Sequence, residues 1–460
     1  MSTVLDYRYL SPSALMPEGT ASRLALATSG GTSPAGEEAH PYFFSAFVEH
    51  PSVVATALLA VARVARTRFY VPPNTLAAIL RAADPVVTST PQGLRFESFS
   101  ACCGVYARLD VAREALDIHH CAPGVTNVDV NPPLRQALAG VQSHDQLLLG
   151  VGDEALQVST GSARLIEEKV PLPGRWLKGF AETQYACAGM RLHHALDLAA
   201  TRVFLQALPR QSATKAVMWA VPALRSLRLA SQPAAGAVCV AGPERLRVLE
   251  PLLRFATGLR AYGPEVDAAS LPVASAWVLD LPGGRFTVAL SPEKSRGFSC
   301  EGGVLHGLAG DTVAEDADLI ATLLSFEPRI DIPRLALASA LTVARVGDAL
   351  GVLASSGQVG FDLADTAYFH RPLPLARGAL ADMHPRLADA HRLVDAGAVL
   401  PGGGPGTYRV QSADLRYEVR LHEGDAPDRC TCPWFAKYRD TRGPCKHVLA
   451  ARIFSRGKQE

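Results

Sequence analysis

Residues 428–453 read DRCTCPWFAKYRDTRGPCKHVLAARI, and they decide how the C-terminal end of the chain folds. Cys430, Cys432 and Cys445 fall within sixteen residues, and His447 stands two beyond the last. A tetrahedral zinc ion takes four thiolate or imidazole ligands, with sulfur at ~2.3 Å and nitrogen at ~2.0–2.1 Å. Cys430-x-Cys432 supplies one close pair and Cys445-x-His447 the other, with twelve residues between them to bring the pairs together at small entropic cost. A single intervening residue constrains the backbone. In an extended segment, residues i and i+2 project to the same side, so the first pair suits a strand end. On a regular helix they diverge by ~200°, so Cys445 and His447 must straddle the start of a helix. Gly443-Pro444 breaks the chain at that point, and Val448, Leu449 and Ile453 give KHVLAARIF an apolar face. The helix N-terminus favours the Cys445 thiolate.

Two other readings of the cysteines stand beside this one. A redox dithiol at Cys430-x-Cys432 leaves Cys445-x-His447 unexplained, and free thiols at this spacing by accident is the third. Four protein ligands would close the coordination sphere and leave no position for a reactive water, so the metal is read as structural. The pattern Cys-x-Cys, loop, Cys-x-His, with Pro-Cys-Lys-His-Val opening a helix after a β-hairpin, resembles a SWIM-type zinc finger over residues 407–456. That resemblance implies that Cys430, Cys432, Cys445 and His447 bind one structural Zn2+ per chain. Upstream, VGFDLADTAYFHRPLP (359–374) before a C-terminal finger is similar to a family of bacterial SWIM proteins. Resemblance to that family implies a protein partner, a MoxR-type AAA+ ATPase together with a von Willebrand factor A-domain protein.

The rest of the composition is ordinary. The 460 residues are 48% hydrophobic and 19% charged with a net charge of +1, which fits roughly two to four folded domains and advertises no global field for nucleic acid or membrane. Arg outnumbers Lys 38 to 7 in an Ala-rich chain, a compositional bias rather than a site. MSTVLDYRYLSPSAL lacks the basic and apolar regions of a signal peptide, and VVATALLAVARVA (53–65) is too short to span a bilayer and carries Arg63. Nine cysteines, six of them outside the quoted stretch, do not form a disulfide framework, so a reducing cytoplasm and no membrane are expected.

The fold class expected is α+β multidomain. Residues 1–40 read as an irregular lead-in ending in SGGTSPAGEE. A helix follows from Pro51 to about 67, a second at 74–83, and GLRFESFSACCGVYARLDV (93–111) reads as two strands. Pro132-Pro133 opens a helix before strand-like QLLLGVG, ALQVST and ARLIEEKV (146–170). RWLKGFAETQYACAGMRLHHALDLAATRVFLQAL (175–208) reads as one long helix or two, and PERLRVLEPLLRFATGL (243–259) as a helix before ASAWVLDL, RFTVAL and GFSC (274–300). Helix followed by strands occurs three times, an order loosely similar to a sliding clamp; ordinary mixed α/β packing is the other account.

Residues 312–400 change character. Helices at 315–326, from Pro333, and from an N-capping Thr342 to a Gly357 stop precede VGFDL-ADTA-YFHRPL, the order of a winged helix. PGGGPG (401–406) is a linker, and GTYRVQSADLRYEVRLHEG alternates like a hairpin. The expected units are 1–215 and 216–311 (both α+β), 312–400 (winged-helix-like) and 401–460 (the zinc finger).

From 429 to 460, eight Lys/Arg face Asp440 and Glu460 alone, and Trp434, Phe435 and Tyr438 interleave with the bases. Trp434, Lys437, Tyr438, Arg439, Arg442 and Lys446 are therefore candidate partner- or nucleic-acid-binding residues, against the alternative that the aromatics cover the metal and the charges are solvated. The third helix of 312–400 offers a groove only Arg345, opposed by Asp348. His119-His120-Cys121, His193-His194, Glu167-Glu168 and the pair His384/His391 assemble no catalytic or metal site by spacing, and no phosphate-loop, nucleophile-elbow or zinc-protease motif occurs. The function expected is a non-enzymatic zinc-binding adaptor for macromolecules; a DNA- or RNA-binding protein using the basic finger face is the second reading, an enzyme with an unrecognised N-terminal site the third.

Overall fold

The computed structural model describes residues 9, 11–70, 84–152, 174–212, 216–306, 311–373, 384–422, 428–439 and 441–456. Residues 74–83 and 155–170, including Glu167-Glu168, lie outside these, as do Asp440, Lys458 and Glu460.

Along the chain, the strands β1 (Ala14–Glu18), β2 (Ala21–Leu26), β3 (Thr28–Ser33), β4 (Gly36–Glu38) and β5 (Phe44–Val48) lead to helix α1 (Pro51–Arg66). Next come β6 (Val86–Thr90), β7 (Gly93–Phe99), β8 (Val105–Ala112), β9 (Leu116–Cys121), β10 (Gly124–Val128), α2 (Pro132–Leu138) and β11 (Leu147–Val151). Helix α3 (Gly174–Ala188), β12 (Arg191–Asp197) and α4 (Leu198–Gln206) precede β13 (Val217–Ala223), β14 (Ser226–Ala230) and β15 (Val238–Ala241). A 3-10 helix (Pro243–Leu252) leads to β16 (Gly258–Gly263), β17 (Ser275–Leu281) and β18 (Gly284–Leu290). The remainder is α5 (Asp311–Leu323), α6 (Ile332–Ser339), α7 (Val343–Ser355), β19 (Val359–Asp362), β20 (Ala367–His370) and α8 (Pro385–Asp395), then β21 (Val399–Pro401), β22 (Thr407–Ser412), β23 (Leu415–Arg420) and β24 (Arg429–Cys430), with α9 (Pro433–Tyr438) and α10 (Lys446–Arg456) last.

The body is mixed α/β and multi-sheet. Its centre is a ten-stranded sheet in the order β12-β16-β17-β18-β8-β7-β6-β10-β3-β4. Both faces of its central strands are buried, and the two-residue period of a strand divides them: on β17, Trp277 and Leu279 enter one core while Ala276 and Val278 enter another. The first core also holds α1, α2 and the five-stranded sheet β1-β2-β11-β5-β9. In the second, α3 lies with Trp176 and Phe180 fully buried. Helix α1 starts at Pro51 and α2 at Pro132 behind an N-capping Asn131, both from the sequence cues that announce them.

Four stretches depart from the sequence reading. The lead-in of 1–40 contains four strands rather than irregular chain. Gly31 looks like a turn residue but lies within β3, where an added Cβ would stand 2.7 Å from the Val125 carbonyl oxygen; the glycine permits close approach to β10. The stretch 175–208 is interrupted by β12, whose pairing with β16 overrides a helical pattern. The stretch 243–259 closes as a 3-10 helix because Pro251 inside it supplies no N–H, and Gly258 already begins a strand. GFSC is likewise a 3-10 turn over Phe298–Cys300 rather than a strand.

Residues 311–373 form three helices and a hairpin. Thr342 caps α7 by accepting the Arg345 N–H at 3.3 Å, Gly357 follows the helix at φ +74°, and α6 and α7 meet at 104°. The hairpin β19–β20 is fastened to the central sheet by charge. Asp362 lies 2.7 Å from Arg95, 2.9 Å from Arg108 and 2.6 Å from Arg285. Burial alone would raise the Asp362 pKa; the Arg108, Arg95 and Arg285 guanidiniums outweigh it and hold the carboxyl well below its usual range. Among the described residues no single helix is long and apolar enough to cross a membrane.

His370 at the end of the hairpin predicts a pH dependence. Its Nδ1 accepts the Phe326 N–H at 2.8 Å, and burial pushes its pKa from 6.5 down to about 4. Burial likewise pushes His384 down to about 4, with Lys178 and Arg386 adding to the effect. A depressed histidine contributes stability that is complete above pH 6.5 and lost as the pH falls toward 4. Between pH 7 and 5 each buried ring should therefore subtract about 2 kcal/mol of unfolding free energy, while Glu182, held at about 8 by burial, contributes with the opposite sign. The stability difference between wild type and His370→Gln in urea unfolding should shift by about 2 kcal/mol between pH 7 and 5, and a difference that does not change with pH would remove His370 from the account.

Candidate metal centre

The four-stranded sheet β21-β22-β23-β24 and helix α10 build the C-terminal module. Val410 and Val419 face inward against Val448, Leu449 and Ile453 of α10, and Leu387 and Ala390 of α8 close the same core. Cys430 ends β24 opposite Val419, so its side chain follows the inward-facing register. Two residues on, Cys432 is the N-cap of α9, and its Sγ accepts the Phe435 N–H at 3.4 Å. Cys445 immediately precedes α10, its Sγ accepting the Val448 N–H at 3.5 Å, and His447 lies in the first turn. Both predicted placements, a strand end for one pair and a helix start for the other, are present.

All four side chains are buried, and one ligand atom from each lies within 4.8 Å of every other. Among the described residues this is the one such group of three or more metal-binding side chains. His447 Nδ1 stands 3.9 Å from Cys430 Sγ, and Tyr417 packs on the ring with centroids 4.4 Å apart. The donor set suits zinc: three sulfurs and one imidazole nitrogen, close enough for shared tetrahedral coordination, with N–H groups directed at two of the thiolates. In the metal-free chain the thiols compete for protons. Cys432, drawing hydrogen bonds first from Cys430 and then from Cys445, is pushed strongly down, and Cys430 as its donor is pushed strongly up. A divalent cation removes that competition by binding all three as thiolates. The arrangement leaves no protein-free position in a four-coordinate sphere, so its chemistry is structural.

The loop between the two pairs is folded back on the body. Arg386 of α8 donates to the carbonyls of Arg442 (2.8 Å) and Pro444 (3.0 Å) and sits 4.8 Å from the Trp434 ring centroid. Arg442 lies 5.3 Å from Trp434 and 4.7 Å from Tyr438, and donates to the Cys300 carbonyl at 3.1 Å. Gly443, at φ +69°, is pressed against Gly302; an added Cβ would stand 1.8 Å from the Gly302 oxygen, so only glycine lets the finger seat there. Phe435 packs into the finger core, and Lys446 lies 3.9 Å from Asp389. Of the six candidate contact residues, Lys437 and Arg439 are exposed while Trp434, Tyr438, Arg442 and Lys446 are partly covered. Arg386 and the Gly302–Gly443 contact were not legible from spacing, because they join segments far apart in sequence.

Among the described residues the other histidine groups build no metal cluster. His120 stacks on Tyr42 at 4.4 Å with its Nε2 3.2 Å from the Tyr42 carbonyl, and His119 packs edge-on against Phe47. His193 and His194 on β12 each reach a carbonyl, Gly263 at 3.1 Å and Gly236 at 2.9 Å. His384 is buried at the N-cap of α8 while His391 is exposed, so the two do not share a site.

Residues 417–451 match the SWIM zinc finger family model. Together with the Cys430, Cys432, Cys445 and His447 cluster, the match makes the C-terminal segment a SWIM zinc finger holding one structural Zn2+. No curated protein matches the chain. Among solved structures the chain is similar to proliferating cellular nuclear antigen from Entamoeba histolytica, at 10% identity and a TM-score of 0.35 over 55% of this chain and 100% of that one. A likeness at that score does not define the fold.

Proposed function

We propose that this chain is a non-enzymatic, zinc-stabilised adaptor that binds another protein through its SWIM finger. The observation that carries the reading is the closed ligand set: a four-ligand centre is spent on holding a loop in place, and the loop it holds carries exposed Lys437 and Arg439. The helices and hairpin of 311–373 are read here as a winged-helix-like unit turned to protein packing. Arg345 of α7 is paired with Asp316 at 2.6 Å, and the hairpin's Asp362 is enclosed by arginines of the sheet, which leaves little basic surface for a duplex. Resemblance of 359–374 to bacterial SWIM proteins nominates a MoxR-type AAA+ ATPase and its von Willebrand A-domain companion as the partner.

The second reading, nucleic-acid binding, draws on Lys437 and Arg439 together with Arg409, Arg416, Arg420 and Arg429, which are exposed on the finger sheet. Affinity for single- and double-stranded DNA and RNA at low salt separates the two. An adaptor should show no measurable affinity, and tagged protein should retain the ATPase partner in a manner lost in Lys437→Glu/Arg439→Glu. Tight binding whose log-affinity falls steeply with log salt, with a slope reduced by about two in that variant, would replace the adaptor with a nucleic-acid-binding protein.

A further inference from the structure

Between α3, the 3-10 segment after Phe298, α8 and the finger loop lies a cavity of about 230 Å³, lined by Lys178, Glu182, His384, Arg386, Trp434 and Arg442 among others. It is distinct from the zinc cluster. Four buried polar atoms in this one lining have no hydrogen-bond partner among the described residues: Glu182 Oε1, His384 Nε2, Trp434 Nε1 and Arg442 Nε. Glu182 and His384 are only 4% and 7% exposed. Folded chains rarely leave such atoms unpaired, and four of the residues lining this one cavity each carry one.

The chemistry of the lining selects an occupant. The indole N–H and the guanidinium N–H can only donate. Arg386 and Arg442 spend their hydrogen bonds on carbonyls, not carboxylates. Glu301, the other acid of the lining, is held by Arg296 at 2.6 Å. Glu182 Oε2 accepts the Gly303 and Val304 N–H groups at 3.0 and 3.4 Å. Burial pushes the Glu182 pKa up to about 8, so near neutral pH it is largely a neutral carboxyl rather than an opposing charge. What remains is an excess of donors and positive charge facing a space below the size of drug-binding pockets.

We propose that this cavity binds a small oxyanion, a carboxylate or a phosphate, at the seam between the body and the SWIM finger. The anion accepts from Trp434, Arg442 and the neutral Glu182 carboxyl, and Lys178 compensates its charge. Because Trp434 and Arg442 come from the loop between the two ligand pairs, the site is complete only in the metal-loaded chain.

The test is calorimetric titration of zinc-loaded, full-length protein with inorganic phosphate and, separately, with succinate, against a chloride control. One saturable site per chain is expected for at least one anion, and the anion that saturates at lower concentration identifies the group recognised. Lys178→Met, a half-exposed position that keeps an apolar stem, should weaken binding by about tenfold or more at unchanged zinc content and melting temperature. Should that variant fold poorly, the anion-induced change in tryptophan emission provides the second readout, present in the wild type and absent in Trp434→Phe. No saturation by either anion, or binding that Lys178→Met and Trp434→Phe leave unaltered, overturns the proposal; the cavity then holds water only.

Discussion

Metal analysis of the purified native protein should give one tightly held zinc per chain, and the Cys445→Ser/His447→Ala variant should lose it together with the fold of its last segment. The reasoning is energetic. The finger core rests on a handful of side chains, chiefly Val410, Val419, Val448, Leu449 and Ile453, with Leu387 and Ala390 lent by α8. A module of that size does not hold itself together by apolar burial alone. A structural zinc site supplies on the order of 10 kcal/mol at neutral pH, more than the stability of most domains. Removing two ligands removes that contribution and leaves Cys430 and Cys432 as buried thiols without a cation. Amide exchange should rise across β22–β24, α9 and α10, while α1 and the central sheet, which belong to a separate and larger core, remain protected. Full zinc retention by the variant would sink the ligand assignment. Exchange rising equally in the central sheet would show instead that Arg386, Gly302 and Gly443 couple the finger to the stability of the body.

That contrast follows how much of the molecule could be read in advance. The clasp was legible because its information is local: ligand type, one-residue spacing, a Gly-Pro break and an apolar helix all lie within twenty-six residues (428–453). Helix starts at Pro51, Pro132 and Thr342 were legible for the same reason. What escaped depends on partners distant in the chain. Gly31 reads as a turn until β10 stands against it, and RLHHALD reads as helix until β16 offers it an edge. The order of helices and hairpin in 311–373 was readable, but not that Asp362 would be met by arginines from three different strands. The seam cavity was invisible altogether, since Glu182, His384 and Trp434 come from three distant segments of the chain and share no motif.

The second large effect is expected at another long-range contact. Arg371, just beyond β20, and Glu97 of β7 are both fully buried, with Nη1 of the arginine 2.8 Å from each carboxylate oxygen. Tyr106 donates to the same carboxylate at 2.6 Å, and the Phe180 ring lies 4.2 Å from the guanidinium carbon. Arg371→Met should cost about 3–5 kcal/mol in urea unfolding, because it strands the Glu97 charge in the core rather than because the pair itself is strongly stabilising. The same logic makes Glu97→Gln costly alone and the double variant Glu97→Gln/Arg371→Met less costly than the two single losses added together. Additive losses would mean that the two groups are stabilised independently, and a loss below about 1 kcal/mol for Arg371→Met would mean that water reaches Glu97. The location of the damage is informative too. Arg371 anchors 359–373 to the sheet and to α3, where Gln184 accepts the Phe361 N–H. If exchange rises only in α5–α7 and the hairpin, that segment opens as a unit of its own. A single global transition would make it part of the body's cooperative core, with the charged seam as its fastening.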